Sequence, residues 1–146
     1  MIKVKKISVK ETFPIRLEIL RKNIALPYKF DGDFNDETFH LGVFKHNTLI
    51  AVSSYMKVKH QSFQGKQYQL RGMATLNKYQ GLGAAKLMLQ EAVSILSTLK
   101  VDCLWCNARI IAVDFYKKQG FQIFGDLFEV KQIGGHYTMF KNLINE

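Results

Sequence analysis

The stretch Thr75-Leu-Asn-Lys-Tyr-Gln-Gly-Leu-Gly-Ala-Ala85 decides how this chain is read. Before it, Tyr68 to Thr75 alternates as a strand does, and after it apolar residues recur at helical spacing. A strand, a glycine-bearing turn and a helix N-terminus make an anion cradle. Glycine lets the backbone approach a ligand, and the first helical N–H groups, which lack intrahelical partners, point outward at the positive end of the helix dipole. This turn is therefore where a bound pyrophosphate is expected.

Three patterns produce such a turn. A Walker loop needs Gly-x-x-x-x-Gly-Lys-Ser/Thr, which is absent. A dinucleotide-binding turn needs Gly-x-Gly-x-x-Gly and an acidic residue about 20 positions on. Gly81, Gly83 and Asp102 suit it, but Lys86 stands where the third glycine must let helix and sheet pack closely. The third pattern, Gln/Arg-x-x-Gly-x-Gly/Ala, is met in full by Gln80, Gly83 and Ala85.

Outward from the turn, the chain divides into two halves. Ile2 to Ser8 reads as a strand, and Thr12 is placed to cap a helix over Phe13 to Lys22, with Pro14 in its first turn. Pro27 to Glu37 reads as a polar loop with room for a short helix. Phe39 to Lys45 and Thr48 to Lys57 read as strands joined tightly at His46-Asn47. These antiparallel hairpins also argue against a dinucleotide-binding fold. Beyond the turn, Ala85, Met88, Leu89, Ala92, Val93, Leu96 and Leu99 lie on one helical face. A strand over Val101 to Cys106, a helix over Arg109 to Lys118 ended by Gly120, and strands over Phe121 to Phe124 and Gly135 to Asn142 complete the map. The expectation is an α/β (mixed α+β) fold: a mostly antiparallel sheet of about seven strands with about four helices and one central β-α-β crossover.

At 146 residues the chain reads as one domain over 1–146, long enough to bury a real core. The N-terminus is basic but lacks the apolar run of a signal peptide, and no segment reaches the length of a membrane span, so a cytoplasmic protein without membrane partners is expected. The net charge of +9 raises nucleic acid as a partner, but the lysines are spread rather than massed. A highly phosphorylated small ligand would also favour a positive field, and no nucleic acid is expected. Cys103 and Cys106 form a C-x-x-C inside an apolar strand, where residues three apart face opposite ways. They read as buried structural thiols, and no metal site is expected.

Two segments carry a family likeness. Leu70-Arg-Gly-Met-Ala-Thr75 through Gln80-Gly-Leu-Gly-Ala-Ala85, and Asn107-Ala-Arg-Ile-Ile-Ala-Val-Asp-Phe-Tyr116-Lys-Lys-Gln-Gly120-Phe121, resemble the two coenzyme motifs of the GNAT acetyltransferase superfamily. The likeness in element order covers nearly the full length. It implies acetyl-CoA as co-substrate and transfer of its acetyl group to a primary amine by direct attack in a ternary complex. It implies that the backbone at Met73 and Thr75 pairs with the pantetheine arm and that Gln80, Gly81, Leu82, Gly83, Ala84 and Ala85 hold the pyrophosphate. Asn107 would bond the pantetheine, and Tyr116 would stand near the sulfur, with Lys78, Lys86, Arg109 and Lys117 as further neighbours of the phosphates. Each has a plainer reading: Asn107 suits a helix cap, Tyr116 a core ring, and the glycines a turn.

The implied chemistry needs an oxyanion donor, for which the Met73 N–H is expected, and an acid for the departing thiolate, for which Tyr116 is expected. Many members of the family place a glutamate base on the strand before the loop. This chain has Gln69, Leu70 and Arg71 there, so Glu129 and His136 are the candidate bases. The acidic loop from Asp31 to Glu37 departs from a calcium loop at its sixth and twelfth positions, Asp36 and Gly42. The acceptor is expected to be a small-molecule or peptide amine, and the apolar content permits a homodimer. A non-catalytic acyl-CoA-binding module is the competing reading, because the strand carboxylate is missing.

Overall fold

The alternating runs of the first half pair as antiparallel hairpins. A computed structural model describes residues 1–143. Its strands are β1 (Ile2–Ile7), β2 (Phe39–Lys45), β3 (Thr48–Met56), β4 (Gln67–Thr75), β5 (Cys103–Arg109), β6 (Gln122–Val130) and β7 (Gly134–Asn142). They form one seven-stranded sheet in the order β1-β2-β3-β4-β5-β7-β6. Only β4 and β5 run parallel, and a parallel pair needs a crossover, here α2 (Ala84–Thr98). The other helices are α1 (Val9–Ile15), whose last turns widen into a π-helix over Arg16–Leu20, and α3 (Val113–Lys118).

The two faces of the sheet are covered by different helices. On β3, Ser53 meets Met88 of α2 at 3.3 Å, while the next residue, Ser54, meets Arg16 beyond α1 at 2.8 Å. This alternation puts α1 on one face and α2 with α3 on the other. The larger core lies under α2 and α3, where Met88, Leu89, Ala92 and Leu96 pack with Leu41, Val43, Leu104 and Met139. Burying each of these larger side chains contributes about 1.5–3 kcal/mol.

Among the described residues three α-helices are present rather than the about four helices expected. The segment from Arg21 to Thr38 forms turns only, because polar side chains take the donors a helix would use. Asp33 Oδ2 accepts from Phe30 N–H at 2.8 Å, and Asn35 Oδ1 accepts from Glu37 N–H at 2.9 Å. The first helix also starts earlier than Thr12. Ser8 and Glu11 form a reciprocal capping box, and Thr12 bonds back to the Val9 carbonyl at 2.6 Å. Pro14 thus lies inside the helix, where it removes a backbone donor, and the π turns follow directly. At the far edge, β6 runs past Phe124, because an irregularity between Phe124 and Phe128 lets pairing with β7 resume.

A buried ionic cluster staples α1 to the segment after it. Fully buried Arg16 donates to both oxygens of Asp33, at 2.7 and 2.9 Å, and to the Tyr28 carbonyl. His40 Nε2–H donates to the Asp33 carbonyl at 3.1 Å, leaving Nδ1 to accept from Ser54 at 2.7 Å, so the ring fits as the neutral tautomer. Burial, then the Arg16 charge, hold its pKa below the ordinary histidine value. Burial pushes the Asp33 carboxyl up, but the Arg16 and Phe30 hydrogen bonds and the Arg16 charge outweigh it and hold the pKa down.

Candidate active site

The parallel pair β4 and β5 separates soon after it forms. Pairing covers Gln67 with Cys103, Tyr68 with Leu104 and Gln69 with Trp105, and then stops. β5 continues along β7 to Arg109, while β4 continues along β3 to Thr75. Every second backbone N–H and C=O on the facing edges beyond this point therefore lacks a strand partner. A bulge drives the divergence: Val52 pairs with Ala74 but Ser54 pairs with Arg71, so β4 carries one extra residue around Gly72. Gly72 has φ +66°, and a Cβ there would lie 3.0 Å from the Phe30 ring and 3.3 Å from Arg16 Nε, so any side chain there is both strained and crowded.

A cleft of about 1050 Å³ fills the splay. Met73 and Thr75 line it from β4, Gln80 and Ala85 from the loop and first turn of α2, Asn107 from β5, Tyr116 from α3 and His136 from β7. Residues from four separate stretches of sequence thus meet in one space. Gly81, Leu82, Gly83 and Ala84 complete the loop beside it without lining the cleft itself. Leu87 is the first α2 residue whose N–H finds a helical partner, the Gly83 carbonyl at 3.0 Å. Gly81 and Gly83 have φ +85° and +82°, and a Cβ on either would meet nothing within 4 Å. The loop is open above a row of unpaired donors, which suits the phosphates of an acyl-CoA.

Asn107 does not cap a helix. It sits in β5, where Oδ1 accepts from Thr138 at 2.8 Å, an arrangement that leaves its amide donors to the cleft. Tyr116 is 6% exposed and packs edge-on against Phe121. Burial, reinforced by Cys106 and Tyr55, pushes its hydroxyl well above the ordinary tyrosine pKa, so it keeps its proton. His136 Nδ1 lies 2.8 Å from the Gly134 carbonyl. A carbonyl only accepts, so Nδ1 carries hydrogen, and in the neutral ring the acceptor nitrogen is Nε2. Glu129, paired opposite Gly135, is exposed and does not line the cleft.

The two thiols sit on opposite faces of β5: Cys103 with Phe63 and Trp105, Cys106 in the larger core. Burial raises the Cys103 pKa to about 11.

Arg21, Phe30 and Arg71 also line the cleft, and sequence reasoning did not mark them as site residues. In the sequence Arg71 stands out only as part of the Leu70 to Thr75 segment and as a non-carboxylate on the strand before the loop. Phe30 is one of three aromatics in its segment, with Tyr28 and Phe34, and nothing in the sequence singles it out. Arg109, read as a neighbour of the phosphates, instead reaches the end of the α1 helix, 3.5 Å from the Leu20 carbonyl. Among the described residues no helix is long and apolar enough to cross a membrane.

Such a cleft, between a glycine loop at a helix start and a splayed parallel pair, belongs to the acyl-CoA-dependent N-acyltransferases. Residues 8–121 match the acetyltransferase (GNAT) family, and the chain belongs to that family. It is 37% identical over 145 residues to a Bacillus subtilis (strain 168) protein named "Uncharacterized N-acetyltransferase YitI", spanning 98% of this chain and 97% of that one. In fold it is similar to FeeM, an N-acyl amino acid synthase from uncultured soil microbes, with a TM-score of 0.84 at 13% identity over 99% of this chain and 92% of that one. It is likewise similar to an acyl-CoA N-acyltransferase from Pseudomonas aeruginosa, with a TM-score of 0.80 at 14% identity over 97% and 99% of the two chains. The chain is an N-acetyltransferase of this family, with an acyl-CoA as donor and an amine as acceptor.

Proposed function

We propose that residues 1–146 act as one catalytic domain that takes acetyl-CoA as the donor and passes its acetyl group directly to a primary amine in a ternary complex. The observation that carries this reading is the splay itself. It leaves two unpaired strand edges whose main-chain groups can bond a pantetheine arm, with the glycine loop at one mouth and Tyr116 on the wall. In this arrangement the backbone from Gln80 to Ala85 holds the pyrophosphate, and the edge at Met73 and Thr75 together with Asn107 holds the arm.

The amine reaches the site mostly protonated at neutral pH. His136 Nε2, the acceptor nitrogen of the neutral ring that the Gly134 contact selects, takes that proton. The freed nitrogen attacks the thioester carbonyl, and the Met73 N–H, beside the bulge, meets the developing oxyanion. As the C–S bond breaks, the Tyr116 hydroxyl protonates the sulfur, and the tyrosinate recovers a proton from the nitrogen that has become an amide. The balance is one amide, one free thiol and one proton released to solvent. His136 is preferred to Glu129 as base because it lines the cleft.

The test is isothermal titration of acetyl-CoA, followed by thiol release with a panel of amines. Stoichiometric binding and amine-dependent release are expected. A folded sample that does not bind acetyl-CoA overturns the reading.

A further inference from the structure

We propose that the amine acceptor carries a carboxylate, and that Arg21, Arg71 and Arg109 receive it on the α1 side of the cleft. The inference rests on the transferase reading and adds the chemical class of the substrate.

The three guanidinium groups converge although they come from distant stretches of chain. Arg21 Nη1 and Arg109 Nη2 share a single acceptor, the Leu20 carbonyl, at 3.1 and 3.5 Å. Arg21 and Arg71 lie against one ring, 5.6 and 4.3 Å from the centroid of Phe30. All three line the cleft. Each carries donors in excess of these contacts, since a guanidinium has five. Among the described residues the ion pairs are Arg16 with Asp33 and Lys57 with Glu37, so none of the three has a carboxylate in direct contact, although the charges of Asp33 and Asp31 act on Arg71 from farther off. Asp31 is the one described acidic residue on the lining, and it pairs with none of them; Lys29 beside it adds a further positive charge.

Such a cluster is costly unless an anion completes it. Burial, and then the charges of Arg109, Arg71 and Arg16, push the Arg21 pKa below its ordinary value. The protein nevertheless holds the group in place. Phe30 packs against both Arg71 and Arg16, 4.0 Å from the latter, and Arg16 is itself fixed by both oxygens of Asp33. The ring and the planar fork of Arg71 are thus oriented before any ligand arrives, which is the geometry for bidentate carboxylate recognition. The position excludes the pyrophosphate as the natural occupant: Arg21 and Leu20 end the α1 helix on one sheet face, whereas the glycine loop opens α2 on the other. With Arg71 in place of an acid on β4, the site repels a dicationic amine and attracts an amino acid.

The experiment compares amino acids with their carboxamides in acetyl-CoA-dependent thiol release. The carboxamide amine is the less basic and so holds more free base at neutral pH, which makes a preference for the acid informative. The acids are expected to show a kcat/KM roughly 10- to 100-fold higher, the scale of one or two charge-assisted hydrogen bonds. Arg71→Gln and Arg109→Gln, made separately, should each collapse that ratio, Arg71→Lys should restore part of it, and the acetyl-CoA Kd should stay within about twofold of wild type. Equal or better use of carboxamides overturns the proposal, and so does a loss of acetyl-CoA affinity that matches the loss in acid turnover. If acetyl-CoA binds but no amine releases thiol, the transferase reading fails. The carboxylate site is then decided by titrating N-acetyl amino acids against their amides into the CoA complex: binding of the acids alone, lost in Arg71→Gln, supports it, and equal or absent binding refutes it.

Discussion

Gly83→Ala separates what the loop does for the fold from what it does for a ligand. Gly83 caps α2 with φ +82°, and an alanine Cβ there meets no protein atom within 4 Å. The folded state therefore loses only backbone energy, about 1–2 kcal/mol for an L-residue in the left-handed region. At a urea m-value of about 2 kcal/mol/M, that moves the unfolding midpoint by roughly 0.5–1 M. The added methyl occupies the open space above the unpaired N–H groups, where the phosphates are proposed to sit. Losing one charge-assisted hydrogen bond, about 1.5–3 kcal/mol, weakens acetyl-CoA by roughly 10- to 100-fold. Gly125→Ala is the matched control: φ is +80°, a Cβ there also meets nothing, and the residue lies in β6 off the cleft. Urea unfolding followed by circular dichroism and titration calorimetry on both variants are the assays. Similar stability losses with an affinity loss in Gly83→Ala alone are expected. An unchanged Kd in Gly83→Ala, or equal weakening in both, would refute the cradle.

Asp33→Asn leaves the Arg16 charge buried without its partner and should cost about 3–5 kcal/mol in chemical unfolding; a loss under about 1 kcal/mol would show that water reaches Arg16. Tyr116→Phe should lower kcat by roughly 10²- to 10⁴-fold with acetyl-CoA affinity retained, and a normal kcat would remove it as the acid. Acid should destabilise the protein in two stages. The folded pKa of His40 is held below its unfolded value, so as pH falls below about 6.5 the unfolded chain takes up a proton the folded one refuses. Asp33 is also held low, so its contribution, present above about pH 3.9, is lost as pH falls through the folded value. Unfolding midpoints from pH 7 to 5 in wild type and His40→Gln check the first stage: the slope should flatten in the variant, and an unchanged slope would clear His40.

Local pattern made most elements readable. The α2 stripe from Met88 to Leu96, the hairpin at His46 and the glycine-bearing turn are all decided within one window of sequence, by period and by backbone freedom. The extra helix expected before β2 failed on side chains. Nothing in the spacing of Asp33 and Asn35 says that they will bond backbone N–H groups, and the Arg16 contact that fixes Asp33 spans 17 positions. The start of α1 was misplaced for a different reason: both Ser8 and Thr12 can cap, and the choice fell to Glu11, whose carboxylate returns to the Ser8 N–H at 2.8 Å.

The sequence by itself determined the glycine loop of the cleft, where the donor is proposed to bind. Gly81, Gly83 and the start of α2 are neighbours in the chain, and their conformation follows from glycine and from unpaired helical N–H groups. Only the tertiary structure decided the arginine side, where the acceptor is proposed to sit. Arg21, Arg71 and Arg109 are as ordinary as any other basic residues of a chain with a net charge of +9 until α1, β4 and β5 bring them to the Leu20 carbonyl and the Phe30 ring. Convergence across about 90 positions is a property of sheet order and strand splay, and no local period records it.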